Sequence, residues 1–111
     1  MSREKLRQKI RELNDAFRSS GEGGKVFMTA GVDALPSDVK AIVIRRVATF
    51  SEFTAENDPH AEHDFGSFEL AHRKIFWKID YYDLAMEFGS DDPSDPSETT
   101  RVLTIMLAEE Y

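Results

Sequence analysis

Two alternating runs dominate the second half of this chain. Phe65-Gly66-Ser67-Phe68-Glu69-Leu70 and Lys74-Ile75-Phe76-Trp77-Lys78-Ile79-Asp80-Tyr81-Tyr82-Asp83 each switch between apolar and polar residues. They are separated only by Ala71-His72-Arg73. Period-two patterning of this kind commits the segment to a strand pair with one buried face. An isolated hairpin is barely stable in water, so the rest of the chain has to supply further strands and a cover.

The front half offers that cover. Ser2 is a good helix N-cap, and Leu6, Ile10, Leu13 and Phe17 follow at helical spacing, predicting an amphipathic helix to about Arg18. Ser19-Ser20-Gly21-Glu22-Gly23-Gly24 stops it, and Lys25–Ala30 reads as a short strand closed by Gly31. Pro36-Ser37-Asp38 opens a second helix carried by Val39, Ile42, Val43, Val47 and Phe50, although its β-branched content also permits a late switch to strand before Phe53. Residues 54–64 and 89–97 are polar, Pro-containing loops. Leu84, Met86 and Phe88 extend a strand or form a segment of their own, and the β-branched run Arg101–Leu107 reads as a last strand rather than a helix. The expected fold is α+β: a small antiparallel sheet of about four strands with two helices packed on one face. A length of 111 residues with 41% hydrophobic content suits one domain over 1–111.

Several chemistries drop out at once. With no cysteine there is no disulfide, thiolate nucleophile or Cys-ligated zinc. No apolar run approaches the roughly 20 residues of a membrane span, and the first residues do not form a secretion signal, so a cytoplasmic protein without membrane contact is expected. Gly21–Gly24 follows a helix and precedes a strand, the reverse of a phosphate-binding loop, and no nucleophile elbow is present.

The net charge of −7 divides unevenly. Residues 1–50 carry ten Lys/Arg against six Asp/Glu, while residues 51–111 carry four against fifteen. Direct nucleic-acid binding by such a chain is disfavoured, even though Arg3, Lys5, Arg7, Lys9 and Arg11 give the first helix a basic surface. The acidic half instead suits a protein partner with a basic surface. Asp80, Asp83, Asp91, Asp92, Asp95 and Glu98 are the residues expected to present that charge. A second constellation is His60-Ala61-Glu62-His63-Asp64, where two imidazoles and neighbouring carboxylates suit one divalent metal with mixed N/O ligands. A metal there would activate water for hydrolysis. The two histidines are three apart in a turn-rich stretch, which matches no zinc signature, so loop hydrogen bonding is the simpler expectation and no cofactor the default. Asp80 and Asp83 point to opposite faces of a strand unless a bulge intervenes, and Arg101 reads as a structural ion-pair partner.

Specific strings carry a family likeness. Asn14-Asp15-Ala16-Phe17-Arg18, Thr29-Ala30-Gly31-Val32, Asn57–Gly66, Trp77–Asp83, Gly89-Ser90 with Asp92-Pro93, and Thr100–Ala108 ending in Glu110-Tyr111 resemble the domain of unknown function 3768 family. The resemblance implies short bacterial proteins encoded near mobile elements and assigns no residue roles. Together these readings put a small acidic protein-binding accessory first, in its sharpest form a mobile-element-encoded inhibitor of a host defence or nucleic-acid-handling complex. A metal-dependent hydrolase or nuclease comes second.

Overall fold

The computed structural model describes residues 2–111. Helix α1 spans Arg3–Ser20, strand β1 Gly24–Met28, a single helical turn α2 Ala30–Asp33 and helix α3 Ser37–Thr49. After a long polar loop come β2 (Phe65–Leu70), β3 (Arg73–Tyr82) and β4 (Thr100–Leu107), and a 3-10 turn covers Ala108–Glu110.

The local signals explain these boundaries. The Ser2 hydroxyl accepts from the Lys5 amide at 3.2 Å, satisfying a first-turn donor of α1. At the other end Gly21, with φ of 75°, turns left-handed and donates to the Phe17 carbonyl at 2.7 Å. The hairpin β2–β3 pairs Leu70 with Arg73, so its turn is only Ala71-His72. Both residues have positive φ, 53° and 63°, the signature of the primed turn that matches strand twist. Beyond Tyr82 the chain turns rather than extending the strand, with Asp83 Oδ1 accepting from the Glu87 amide at 3.0 Å. Leu84, Met86 and Phe88 therefore lie in a turn.

The sheet order is β1-β4-β3-β2. β4 runs antiparallel to β3 and β3 to β2, but β1 lies parallel to β4. The sheet is thus mixed where an antiparallel one was expected. Local pattern fixes that a segment is a strand; its direction depends on where the intervening helices deliver it. The turn α2 is a third helix, beginning at Ala30, where the residue pattern ends the strand, and before Gly31 that closes it. It starts right after Thr29, whose amide still donates to the Ile105 carbonyl at 3.0 Å and whose own carbonyl accepts from the Asp33 amide at 2.9 Å.

Register puts Ile75, Trp77 and Ile79 of β3 opposite Leu107, Ile105 and Leu103 of β4. These six share one buried cluster with Phe68 of β2, Phe17 of α1, Val32 of α2, and Val43 and Val47 of α3. Trp77 is the largest side chain fully enclosed. Gly66 lies across from it, and a Cβ there would stand 2.5 Å from the indole nitrogen, so only glycine allows the approach. Burying this much apolar surface is what holds the helices to the sheet. Alternation places Phe76, Lys78, Asp80 and Tyr82 on the opposite face of β3.

Candidate functional site

Where α1 crosses the ends of β3 and β4, the buried cluster turns polar. Asn14 stands four residues after Ile10 and three before Phe17, so its amide enters the apolar face and is fully buried. Its nitrogen donates to the Glu62 carbonyl at 3.0 Å and to the Tyr81 hydroxyl at 2.8 Å. Its oxygen accepts from Arg101 Nε at 2.8 Å. Tyr81 in turn donates to Glu62 Oε1 at 2.8 Å. Desolvation pushes the Tyr81 phenol well above its ordinary range, and the Glu62 carboxylate beside it acts in the same direction. Burial likewise lowers the Arg101 guanidinium, opposed by Tyr81 and Glu62. Arg101 is 2% exposed, donates to the Pro93 carbonyl and lies 5.3 Å over the Tyr81 ring. It is structural, as expected, but its hydrogen-bond partners are an amide and a carbonyl rather than an acid.

A second buried cation sits one turn further along α1. Arg18 Nη1 donates to the carbonyls of Val47 and Phe50 at 2.6 and 3.0 Å, capping the end of α3. Nη2 reaches Asp15 at 3.1 Å, and the guanidinium stacks 4.8 Å over Trp77. Burial lowers its pKa, with Asp15 opposing.

Asp15 also holds His63. The imidazole Nδ1 is 2.8 Å from Asp15 Oδ1, and the ring stacks on Phe53 at 3.7 Å with an interplanar angle of 4°. Nε2 faces Asp58 at 3.7 Å. Asp58 is buried and accepts from the Glu62 and His63 amides at 3.1 and 3.2 Å, which shapes the loop. Asp64 sits beside this group and is raised by desolvation first and then by Glu62. His60 is exposed. Of the four residues of the alternative metal set, Glu62 and His63 are thus committed to internal partners, in line with loop hydrogen bonding, and His60 stands apart.

The acidic expectation lands elsewhere. Asp80 pairs with Lys78 at 2.9 Å on the face of β3 opposite Tyr81, so it does not meet the His60–Asp64 segment. Asp83, Asp91 and Glu98 line a concavity of about 260 Å³ together with Leu84. Leu84 is 65% exposed and the nearby Phe88 72%. Carboxylate oxygens of Asp92, Asp95 and Glu98 come within 4.8 Å of one another. Each Asp is engaged locally, Asp92 with the Ser94 amide at 3.1 Å and Asp95 with the Ser97 amide at 2.9 Å. The Ser97 bonds hold Asp95 below the usual carboxylate range.

The α1 residues Asn14, Asp15 and Arg18 were not among the candidates. The available signal was a polar residue on the inward face of an amphipathic helix, at Asn14. No helix among the described residues is long and apolar enough to cross a membrane. A family model described as proteins of unknown function, DUF3768, matches residues 28–110, which begins at the last residue of β1 and leaves Asn14–Arg18 outside the matched span. No curated protein and no solved structure gives a match.

Proposed function

Since the chain belongs to the DUF3768 family, which brings no activity with it, we propose from the geometry that it is a protein-binding accessory whose acidic end captures a basic partner. The observation that carries this reading is the grouping of Asp83, Asp91 and Glu98 around an exposed Leu84. Apolar residues ringed by charge resemble the centre and rim of a protein interface, with the acids steering encounter and Leu84 and Phe88 supplying buried area. Inhibition of a host defence or nucleic-acid-handling complex is the sharpest form of the proposal, because such complexes expose Arg/Lys-rich channels. The hydrolase reading draws less from the geometry, since Glu62 and His63 are occupied with Tyr81 and Asp15.

The test is affinity capture from the native host, followed by binding measurements with the purified partner. Asp83→Lys, Asp91→Lys and Glu98→Lys combined should abolish capture, and wild-type affinity should fall as salt rises from about 50 to about 500 mM, where screening shortens to a few ångströms. Leu84→Ser with Phe88→Ser should speed dissociation. Binding indifferent to both charge reversal and salt would remove the electrostatic mechanism. One tightly bound metal ion per chain, lost on His63→Ala, would instead favour the hydrolase.

A further inference from the structure

The junction of α2 and α3 does not close against the β2–β3 hairpin. It leaves a concavity of about 380 Å³, well away from the acidic end. Val43, Ile75 and Leu107 form part of its lining and are buried, while Leu35, Val39 and Leu70 are half-buried. The volume lies within the range of small-molecule sites, which are mostly apolar with a few placed polar groups. Here one charged side chain lines the cavity, that of Arg73.

Arg73 is also the cation of this half least committed elsewhere. Lys78 is bonded to Asp80 at 2.9 Å, Arg101 is inside the protein, and the Lys74 ammonium sits 5.5 Å over Phe76. The nearest carboxylate to Arg73 is Glu109 at 3.8 Å, with the two side chains 54% and 74% exposed. That distance is too long for a hydrogen bond, and an exposed pair of this kind is easily exchanged. At the same mouth α3 begins after Pro36 with Asp38 in its first turn, and the Glu110 carboxylate is taken up by the Gly31 and Leu107 amides at 2.9 and 3.0 Å and by the Thr29 hydroxyl at 2.6 Å. The nearby Asp33 is held by Lys40 at 3.0 Å.

An apolar chamber with a single available guanidinium at its rim selects a ligand that is apolar along its length and anionic at one end. We infer that this cavity binds a free amphipathic monocarboxylate, its chain against Leu35, Val39, Leu70 and Leu107 and its carboxylate on Arg73. The planar guanidinium favours a carboxylate over an alcohol of the same length by offering two parallel N–H donors.

Octanoate and octanol are the probes, titrated into isotope-labelled protein and followed by NMR. Octanoate should shift the methyl signals of Val39, Leu70 and Leu107 saturably, and octanol should bind about tenfold more weakly, the loss expected for one charge-assisted contact. Arg73→Gln should bring octanoate down to the level of octanol without altering the fold. Val39→Phe should fill the chamber and abolish both, with Ala34→Phe at the exposed rim as the second filling variant should the first fail to fold. Equal binding of the two probes by the wild type, a preference that survives Arg73→Gln, or the absence of saturable shifts would each overturn the assignment. So would a response to a peptide ending in leucine carboxylate but not to octanoate.

Discussion

Replacing Asn14 by alanine tests the polar junction most directly. The amide is fully buried and satisfies three groups at once: the Glu62 carbonyl, the Tyr81 hydroxyl and Arg101 Nε. The two neutral bonds contribute about 1 kcal/mol each, and stranding a donor of a buried guanidinium costs about 1.5–3 kcal/mol. Tyr81 keeps its bond to Glu62 Oε1, so its loss is the smallest of the three. The expected destabilisation is about 4 kcal/mol, a large fraction of the roughly 5–15 kcal/mol available to a domain. For a chain of this length that corresponds to a fall in Tm of about 16 °C. Urea unfolding followed by Trp77 fluorescence reads the change, because Trp77 lies in the core. Tyr81→Phe is the milder companion at about 1 kcal/mol, and the double variant should be less destabilised than the two singles predict, since they share one bond. A loss below about 1 kcal/mol for Asn14→Ala, with native spectra retained, would refute the reasoning: Arg101 would then have found another partner or water.

Two further changes probe neighbouring features. The Asp64 carboxyl is raised above its unfolded value, so the folded state binds its proton more readily and stability is lost as pH climbs from about 3.9, the unfolded value, through the folded one. Asp64→Asn should therefore raise Tm at pH 7 and lose that advantage at about pH 3, as thermal melts across the pH range would show. In the hairpin, Ala71 and His72 both occupy the left-handed region, which costs non-glycine residues free energy. Asn-Gly at these positions should gain about 1 kcal/mol in urea unfolding without changing the strand register.

Much of the fold was legible because its signals are local. The stripe Leu6–Phe17, the cap at Ser2 and the stop at Gly21 delimit α1 with only Ser19 and Ser20 exceeding the expectation. The alternation of Phe65–Asp83 locates β2 and β3. What escaped depends on chain direction or on pairs distant in sequence. β1 reads as a strand, but nothing between Gly24 and Met28 tells whether it meets β4 parallel or antiparallel. The His60–Asp64 loop looked like a ligand set because its residue types are right. Its partners, Asp15 at a separation of 48 and Tyr81 at 19, are invisible to spacing within the loop. Arg18 marks only the expected end of α1 in the sequence, yet it caps α3 some 30 residues away.

The buried junction and the acidic end are one mechanical unit. Arg101 is the second residue of β4, and its guanidinium bonds both to Asn14 of α1 and to the Pro93 carbonyl inside the acidic loop. Thr99, one residue before β4, is buried and carries the same loop: its hydroxyl donates to the Asp92 carbonyl at 2.8 Å and contacts Ser90 Oγ at 2.6 Å. The isolated bridge between Tyr82 and Gly89 closes the turn that presents Leu84 and Phe88. A Pro- and Ser-rich acidic segment would otherwise sample many conformations, and ordering it on binding would consume affinity. Anchoring it from beneath with a desolvated arginine would remove that cost in advance for the proposed partner. The same arginine lies inside the protein, held in its charged form by Tyr81 and Glu62, while Asp91 and Glu98 of the loop above it are exposed. The surface thus stays anionic while its scaffold is held by a cation.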